Sequence, residues 1–492
     1  MLAAAFCAAA WAATPPKAGT GAGCTWIDIG GKDVEGRGWS DTELPFDRIP
    51  KRFAKDLPRV WGNGISSTGE FFEFESDTTS VSVRTAFAKH GFGENNFNSS
   101  AFVGTDLYVF DVERGDWRWA AAAGHGVRWG KNVEYQLVSK LPKQVRRFRL
   151  YLPLRNRLAS LKLGVDAASK TKLIPPRKER PVVYYGTSII HGAFNIRPGL
   201  ALTSRLERKV KRPFVNLGFS GGARLDPAAA TMLAELDAAV YVCDPYHNLS
   251  PDLIRHNFEA FFDELCSKRP TTPVLLVGAP PVLNGWLRPD VSRNDEEKTR
   301  LFAELSKKVA ARHANFRYLP GQDLYGSDEV SMDGVHPNDE AFAHMAAILA
   351  PVISDLAGKR FGKGTATDKP LSNIDMKKML EQGYRYGAKN QIATSEAQRC
   401  VSLIQAAILR EWDKESFKWF SGLRPIEVDF SLGPGGLVRG FSIRTGSGDA
   451  EVDRTARSAL NRLKGQKIYG LTAQFLEQFP ELTIVMEPKQ GR

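Results

Sequence analysis

Three residues of the chain combine side-chain types that can transfer an acyl group. Ser188 directly follows the apolar run VVYYGT and precedes a stretch typical of a helix, and the later segment MDGVHPND contains Asp333 and His336, three residues apart. A serine at the end of a buried strand presents its hydroxyl to a cleft, where backbone N–H groups can face a developing oxyanion. An aspartate three residues before a histidine can share one side of a turn with it and orient the imidazole. Together the three residues predict a serine nucleophile with its base and the carboxylate that orients the base.

Each of these residues also has a structural interpretation. Ser188 alone would serve as the N-cap of a helix, and Asp333 could cap a helix in which His336 is a surface residue. The GTSII sequence around Ser188 is not the GxSxG elbow of α/β-hydrolases, since position 190 is isoleucine. The order of the three residues along an alternating strand–helix region favours catalysis over capping.

Other side chains near the predicted cleft suggest metal binding but lack the spacing for it. His191, His247 and Asp244 follow predicted strands, yet no HExxH-type pattern is present. We therefore predict neither a metal site nor a cofactor.

The elements that must position the catalytic residues lie in residues 176–357. From Pro181 onward, short apolar runs alternate five times with amphipathic stretches of helical length. This alternation predicts an α/β domain with a parallel sheet covered on both faces, and the site of such a sheet is expected beyond the carboxyl ends of its strands.

Residues 25–175 show a different pattern. FFEFES, SVSVR, DLYVFDV and RFRLYL alternate apolar and polar residues, which is typical of half-buried strands and predicts a β-sandwich. Trp117 and Trp119 lie on one face of a predicted strand, where they could either stack on a sugar or pack between sheets, and packing is the favoured interpretation.

The two ends of the chain have their own patterns. Residues 1–22 are Ala-rich and predict a signal segment without the usual positive charge, and they are too short to span a membrane. Residues 358–375 predict a linker, and residues 376–492 a third unit with a helix, two strands, a second helix and a final strand. The net charge is +12, but the basic residues are scattered among acidic ones, so no nucleic-acid partner is predicted.

The catalytic candidates resemble the blocks of the SGNH, or GDSL-like, hydrolase superfamily. GTSI contains Ser188 and DGVHP contains Asp333 and His336, while NLGFSGGA and YVCDPYHNLSP supply Gly221 and Asn248 between them. The resemblance implies a flavodoxin-like hydrolase domain. It also implies an oxyanion hole formed by the backbone N–H groups of Ser188 and Gly221 and the side-chain amide of Asn248.

Two further segments narrow the resemblance. GTDLY at 104–108 and RPG at 197–199 are similar to the GDSL-like subgroup with an N-terminal GxDLY domain, and FDRIP at 46–50 also resembles that subgroup. The chain departs from the subgroup's NLGFSGNG at Gly222 and Ala223, which implies a different pocket wall.

The C-terminal unit resembles the periplasmic C-terminal domain of the TonB and TolA proteins. IEVDFSLGPGGLVRGFSIRTGSGDAEVDRTARSAL carries this resemblance, whereas a proline-containing stretch after the second helix is replaced by GQKIYG. The resemblance implies an envelope protein partner bound by strand addition rather than coupling to a proton-motive complex.

We therefore expect a secreted or periplasmic serine ester hydrolase that removes small acyl groups, such as acetyl, from a carbohydrate or glycan. The alternative is an envelope interaction protein with an inactive hydrolase fold and a TonB-like docking domain. The natural ester, the oligomeric state, the disulfide pairing and the true start of the chain stay open at this point.

Overall fold

The computed structural model describes residues 23–88, 91, 93–123, 127–359, 404, 407–408, 411, 426–433, 436–468, 476 and 481–486. The predicted signal segment, residues 1–22, lies outside these residues. So do the predicted linker beyond Lys359 and most of the first helix predicted for residues 376–492.

The N-terminal part, here called the β domain, consists of two antiparallel sheets. Its strands are β1 (Cys24–Ile29), β2 (Phe71–Ser76), β3 (Val81–Phe87), β4 (Asp106–Asp111), β5 (Asp116–Ala122), β6 (Asn132–Val138), β7 (Arg146–Tyr151), β8 (Leu158–Asp166) and β9 (Thr171–Ile174), with short helices α1 (Pro58–Gly64) and α2 (Ser99–Phe102). One sheet has the order β1-β8-β3-β6 and the other β5-β4-β7-β2-β9. Phe74 and Phe148 of one sheet and Val83 and Leu163 of the other are fully buried in one shared core, so the two sheets form the predicted sandwich.

The second part, here called the hydrolase domain, contains a five-stranded parallel sheet. Its strands are β10 (Val182–Gly186), β11 (Phe214–Gly218), β12 (Val240–Asp244), β13 (Val274–Val277) and β14 (Phe316–Leu319), and its helices are α3 (Leu202–Val210), α4 (Pro227–Leu233), α5 (Pro251–Lys268), α6 (Pro289–Arg312) and α7 (Asp339–Ala357). The strand order is β11-β10-β12-β13-β14. The order reverses at β10, so the crevice expected to bind a ligand lies at the carboxyl end of this strand.

The strands of this sheet are buried on both faces. In β10, Val183 and Tyr185 lie in the core shared with α4, α5 and α6, whereas Val182 and Tyr184 lie in the core shared with α3 and α7. Successive residues of one strand thus enter different cores, which explains the continuous apolar run VVYY. The parallel sheet predicted from the alternating pattern is confirmed.

Helix α7 is rich in apolar residues. Among the described residues it is a helix whose length and composition alone would suit a membrane span, and 56% of its most apolar window is buried. Phe342 and Leu349 are fully buried in the core beside β10. The packing of α7 in this core accounts for its apolar residues.

The described C-terminal residues contain a small α+β unit. Its elements are β15 (Ile426–Gly433), β16 (Leu437–Thr445), a helix called α8 here (Ala450–Leu463) and β17 (Glu481–Met486), and the antiparallel sheet has the order β16-β15-β17. Val428, Phe430 and Leu460 are buried in a core that, among the described residues, is formed by residues 404–484. The predicted strand–turn–strand–helix–strand sequence is present, and the likeness to TonB and TolA stays a prediction.

Buried polar groups join the β domain to the hydrolase domain. Arg48 of FDRIP is 1% exposed, and its guanidinium donates to the carbonyl oxygens of Asn216 (2.8 Å) and Gly218 (3.2 Å) at the end of β11. Arg149 of β7 forms buried ion pairs with Glu73 of its own sheet and with Glu207 of α3. The β domain is therefore packed firmly on the hydrolase sheet.

Candidate active site

Ser188 lies two residues after the last residue of β10, at the carboxyl edge of the parallel sheet. Its Oγ atom lies 2.6 Å from Nε2 of His336, and the serine is partly exposed. The sheet brings together residues that are far apart in sequence, because His336 lies in the loop that precedes α7. Ser188 and His336 thus form the hydroxyl–imidazole pair that the sequence predicted.

The loop before α7 is folded around Asp333. Its Oδ1 atom accepts hydrogen bonds from the backbone N–H groups of Val335 (3.0 Å) and His336 (2.8 Å), and Gly334 has a φ of 82° that allows the tight turn. Ser331 pairs with Pro337 in an antiparallel bridge that closes the loop. The carboxylate thus organises the turn from which His336 extends.

Asp333 also binds the imidazole of His336 directly. Its Oδ2 atom lies 2.6 Å from Nδ1 of His336. With Nδ1–H donating to Asp333, Nε2 is left to accept the hydrogen bond of the Ser188 hydroxyl. Burial raises the pKa of Asp333, but the hydrogen bonds from the backbone and ring of His336 and from Val335 outweigh it, so the pKa is lowered and the carboxylate is charged at neutral pH.

The predicted oxyanion donors surround the same strand ends. Gly221 is exposed and has a φ of 66°, in the turn that follows β11. Asn248 ends a 3-10 turn after β12, and its side-chain amide lies 3.4 Å from the Phe219 carbonyl oxygen, a long and weak hydrogen bond. Among the described residues, the backbone N–H groups of Ser188 and Gly221 donate to no protein acceptor. The two backbone donors are therefore available to a ligand, and the Asn248 amide makes only this one weak bond.

One side of the His336 imidazole is covered by an aromatic ring that the sequence pattern does not predict as part of the site. The ring centroid of Phe194 lies 5.5 Å from that of His336, with an angle of 46° between the planes. Phe194 has a φ of 62°, which is rare for a bulky residue. A left-handed phenylalanine leaves no signal in a sequence, so this contact becomes visible only in the fold.

Exposed apolar residues border the same loops. Ile196 lies two residues after Phe194, and Met332 directly precedes Asp333. Trp286 lies in a turn just after Leu283, and the Leu283 N–H donates to the Gly334 carbonyl oxygen at 2.8 Å. The exposed fractions of Ile196, Met332 and Trp286 are 56%, 81% and 79%. An apolar rim around polar catalytic groups is typical of a small-molecule site.

Two further histidines, one buried and one half-buried, lie near the strand ends. His191 is 0% exposed and lies 3.1 Å from Ser66 Oγ, so a second serine–histidine hydrogen bond exists, but Ser66 is also only 2% exposed. Burial, together with the charges of Arg48 and Arg155, lowers the pKa of His191 well below its ordinary value. This pair is neutral and closed to solvent, whereas Ser188 is open to it.

His247, next to Asn248, is the half-buried one. Burial and the charge of Lys298 lower its pKa to about 3, so it stays neutral near His336. In the part of the chain that the structure describes, no three His, Cys, Asp or Glu side chains converge as they would around a metal ion. His191, His247 and Asp244 do not form a common cluster there.

The tryptophans of β5 have separate environments. Trp117 is covered by the guanidinium of Arg149, with 4.3 Å from Cζ to the ring centroid, and it packs beside Phe110. Trp119 is 55% exposed, and Arg197 lies 5.1 Å from its ring. Trp117 thus follows the packing interpretation, while Trp119 presents an open ring.

The β domain and the hydrolase domain each match a known protein family. Residues 179–354 match the GDSL-like Lipase/Acylhydrolase family, and residues 24–171 match the GxDLY family, the N-terminus of Esterase_SGNH_hydro-type. No curated protein matches the chain.

Several solved structures are similar. A candidate GDSL-like lipase from Bacteroides ovatus ATCC 8483 is 26% identical, with a TM-score of 0.63 over 69% of this chain and 99% of that chain. The salicylyl-acyltransferase SsfX3 from a tetracycline biosynthetic pathway is 20% identical, with a TM-score of 0.48 over 67% of this chain and 93% of that chain. A family two carbohydrate esterase from Clostridium thermocellum, solved with cellohexaose, is 14% identical, with a TM-score of 0.39 over 59% of this chain and 92% of that chain.

The two family matches lie in the hydrolase domain and the β domain. The parallel sheet, the matched families and the Bacteroides ovatus structure agree with one another. Residues 179–354 are therefore an SGNH/GDSL-like acylhydrolase domain, an esterase, and residues 24–171 are its N-terminal GxDLY domain.

Proposed function

We propose that Ser188 is the nucleophile, His336 the general base and Asp333 the group that orients the base. The observation that carries this proposal is the continuous hydrogen-bonded chain from Ser188 Oγ to His336 Nε2 and from His336 Nδ1 to Asp333 Oδ2, each step 2.6 Å long. Its first member is partly exposed to solvent, as a nucleophile must be.

The reaction then follows from the positions of the protons. Nε2 of His336 takes the proton of the Ser188 hydroxyl as Oγ attacks the ester carbonyl, and the charged imidazole is stabilised by Asp333. The oxyanion is met by the N–H groups of Ser188 and Gly221 and the amide of Asn248. His336 then gives its proton to the leaving alcohol, and water repeats the two steps to release the acid.

We further propose that the substrate is a small acyl ester, such as acetyl, of a carbohydrate. Trp286, which is 79% exposed in the turn bonded to the Asp333 loop, offers a flat aromatic surface on which the apolar face of a sugar ring can stack. Met332, the residue before Asp333, adds an exposed apolar side chain to the Asp333 loop. The alcohol part of the ester would lie on this rim, outside the catalytic residues.

Turnover of p-nitrophenyl acetate by the purified full-length chain tests the catalytic assignment. Ser188→Ala and His336→Ala should each abolish turnover without changing the circular dichroism spectrum, because nucleophile and base act as a unit. Activity above a few per cent of the native protein in either variant would contradict the assignment.

A separate comparison tests the carbohydrate. Trp286→Ala should raise KM for an acetylated oligosaccharide by roughly tenfold, the loss of a stacking contact of about 1 kcal/mol or more, and leave KM for p-nitrophenyl acetate unchanged. Leu287→Ala, an exposed apolar neighbour in the same turn, is the matched control. Equal KM values for native protein and Trp286→Ala on the oligosaccharide would exclude the stacking role.

For the C-terminal unit we propose docking to an envelope protein, and with it a secreted or periplasmic location. Its support is the sequence resemblance to TonB and TolA and the separate core around Phe430 and Leu460. In the described sheet, β16 and β17 are the edge strands, where a partner strand can add.

A further inference from the structure

The β domain binds one segment of the hydrolase domain residue by residue. This segment, residues 194–199, lies between the strand that precedes Ser188 and helix α3. The N–H of Phe194 donates to the Asn96 carbonyl oxygen at 2.7 Å. The side-chain amide of Asn98 donates to the Asn195 carbonyl oxygen at 3.2 Å. The Ser100 hydroxyl donates to the Ile196 carbonyl oxygen at 2.7 Å.

The far end of the segment is held by the GTDLY sequence. Asp106 Oδ2 accepts hydrogen bonds from Arg197 Nη1 at 2.6 Å and from the Gly199 N–H at 2.8 Å, and Tyr108 OH also accepts from Arg197 at 2.8 Å. Five of the six residues from Phe194 to Gly199 are thus bound by the β domain. A segment held at both ends and along its length has little freedom to move.

The contact at Gly199 leaves no room for a side chain. A Cβ atom there would lie 2.5 Å from Tyr108 Cε2 and 2.7 Å from Asp106 Oδ2. Asp106 itself is 0% exposed, and burial raises its pKa although Arg197 opposes the shift. An aspartate buried at an interdomain contact is costly unless its partners are fixed in place.

The other side of the segment touches the catalytic loop. The N–H of Ile196 and the side-chain amide of Asn195 donate to the carboxylate of Asp339, at 3.2 and 3.0 Å. Asp339 is the first residue of α7, three residues after His336, and the ring of Phe194 lies 5.5 Å from the His336 ring. The segment therefore joins the GTDLY sequence to the imidazole.

We propose that Asp106 is a positioning residue, which acts through the 194–199 segment to hold the Phe194 ring against His336. The β domain is then part of the active site rather than an accessory module. The left-handed φ of Phe194, 62°, is the strain that this attachment maintains, because a free loop would relax to a more favourable conformation. This proposal rests on the assignment of His336 as the general base.

The physical role of the ring is to restrict the imidazole. The imidazole of His336 is bonded to Asp333 at Nδ1 and to Ser188 at Nε2, and these two hydrogen bonds leave the ring free to rotate about the line that joins them. Packing by Phe194 on one face removes that freedom and keeps Nε2 aimed at Ser188 Oγ. A displacement of about 1 Å in such a contact lowers kcat up to 100-fold, while binding of a small ester is little affected.

The test compares single and double variants of the full-length chain on p-nitrophenyl acetate. Phe194→Ala should lower kcat about 10- to 100-fold with KM nearly unchanged, and Phe194→Tyr, which keeps the ring, should retain most of the activity. Asp106→Asn should lower kcat roughly tenfold. In the Phe194→Ala background Asp106→Asn should cost no more than about twofold further, because both changes act on the same contact.

Asp166→Asn is the matched control inside the β domain. Asp166 accepts hydrogen bonds from the N–H of Thr79, at 2.6 Å, and from the Ser80 hydroxyl, and among the described residues its carboxylate bonds stay within the β domain. It should lower the melting temperature without changing kcat. If Asp106→Asn fails to fold, Ser100→Ala removes the hydrogen bond to Ile196 and should lower kcat in the same direction.

The outcomes separate this proposal from the catalytic assignment. Unchanged kcat in folded Asp106→Asn, or losses that multiply fully in the double variant, would overturn the positioning role. An equal loss of kcat in Asp166→Asn would also overturn it, since general weakening of the β domain would then be the cause. Failure of the catalytic assignment would appear instead as activity in Ser188→Ala. That result does not depend on the Phe194, Asp106 or Asp166 variants.

Discussion

Replacing Asp333 by asparagine tests the proposed mechanism at one atom. The amide keeps an oxygen that can accept the backbone hydrogen bonds of Val335 and His336, now 3.0 and 2.8 Å, so the turn can form. What changes is the group 2.6 Å from His336 Nδ1, where an NH₂ donor can replace the Oδ2 acceptor. The imidazole would then carry its proton on Nε2 and could not accept the proton of Ser188.

The expected loss follows from this tautomer change. We expect kcat to fall about 10³- to 10⁴-fold, equivalent to roughly 4 to 5.5 kcal/mol of transition-state stabilisation, with little change in KM. The assay is steady-state hydrolysis of p-nitrophenyl acetate by the full-length chain, with circular dichroism to verify folding.

Ser331→Ala is the control for the loop itself. Ser331 Oγ accepts from the Gly334 N–H at 3.0 Å but does not touch the imidazole, so its loss should lower kcat less than tenfold. If Asp333→Asn retained more than about a tenth of the native kcat, or fell no further than Ser331→Ala, Asp333 would be a turn residue without a role in proton transfer.

Three further predictions test separate parts of the molecule. Asn248→Ala should lower kcat about 10²- to 10³-fold with KM little changed, as the loss of one oxyanion donor requires, and an unchanged kcat would make it a loop residue. A chain ending at Lys359 should keep its kcat/KM on p-nitrophenyl acetate, because the described C-terminal core is formed by residues of the C-terminal unit. The same truncation should abolish binding to an envelope fraction in a pull-down. Loss of turnover in the folded truncated enzyme would contradict the docking role. Burial raises the pKa of Asp244 to about 7, against about 3.9 in the unfolded chain, so between these pH values the folded protein holds a proton that the unfolded chain has lost. The free energy of unfolding, measured relative to Asp244→Asn, should therefore fall by about 1.4 kcal/mol per pH unit as the pH rises through this range. Urea unfolding across that range measures the difference, and a pH-independent difference would show that Asp244 ionises normally.

The parallel sheet and the Ser188 site were predictable because both depend on local order along the chain. An apolar run such as VVYY must be a strand buried on both faces, and the residue after it must lie at the carboxyl edge of the sheet. The same rule places Gly221 after β11 and Asn248 after β12. Asp333 and His336 are three residues apart, so their contact also needs only a local turn.

The aromatic parts of the site were not predictable by such rules. Phe194 and Trp286 lie in loops without periodicity, where an exposed or left-handed aromatic residue has no distinguishing neighbours in the sequence. The pair Trp117 and Trp119 shows a second limit. A strand pattern places both on one face, but only the fold brings Arg149 over the first and leaves the second exposed.

GTDLY and RPG can be recognised in the sequence, but the contact between them cannot. Each is visible alone, but Asp106 and Arg197 are 91 positions apart and meet only when the β domain packs on the hydrolase domain. Their contact accounts for three residue types at once: an acid to bind the guanidinium and an N–H, an arginine to neutralise it, and a glycine where any Cβ would collide with Tyr108. The proposed catalytic residues all come from loops of the parallel sheet, and such loops are mobile unless something outside the sheet restrains them. In this chain the restraint on the loop beside His336 comes from a different domain, so the two domains have to be considered together as one catalytic unit.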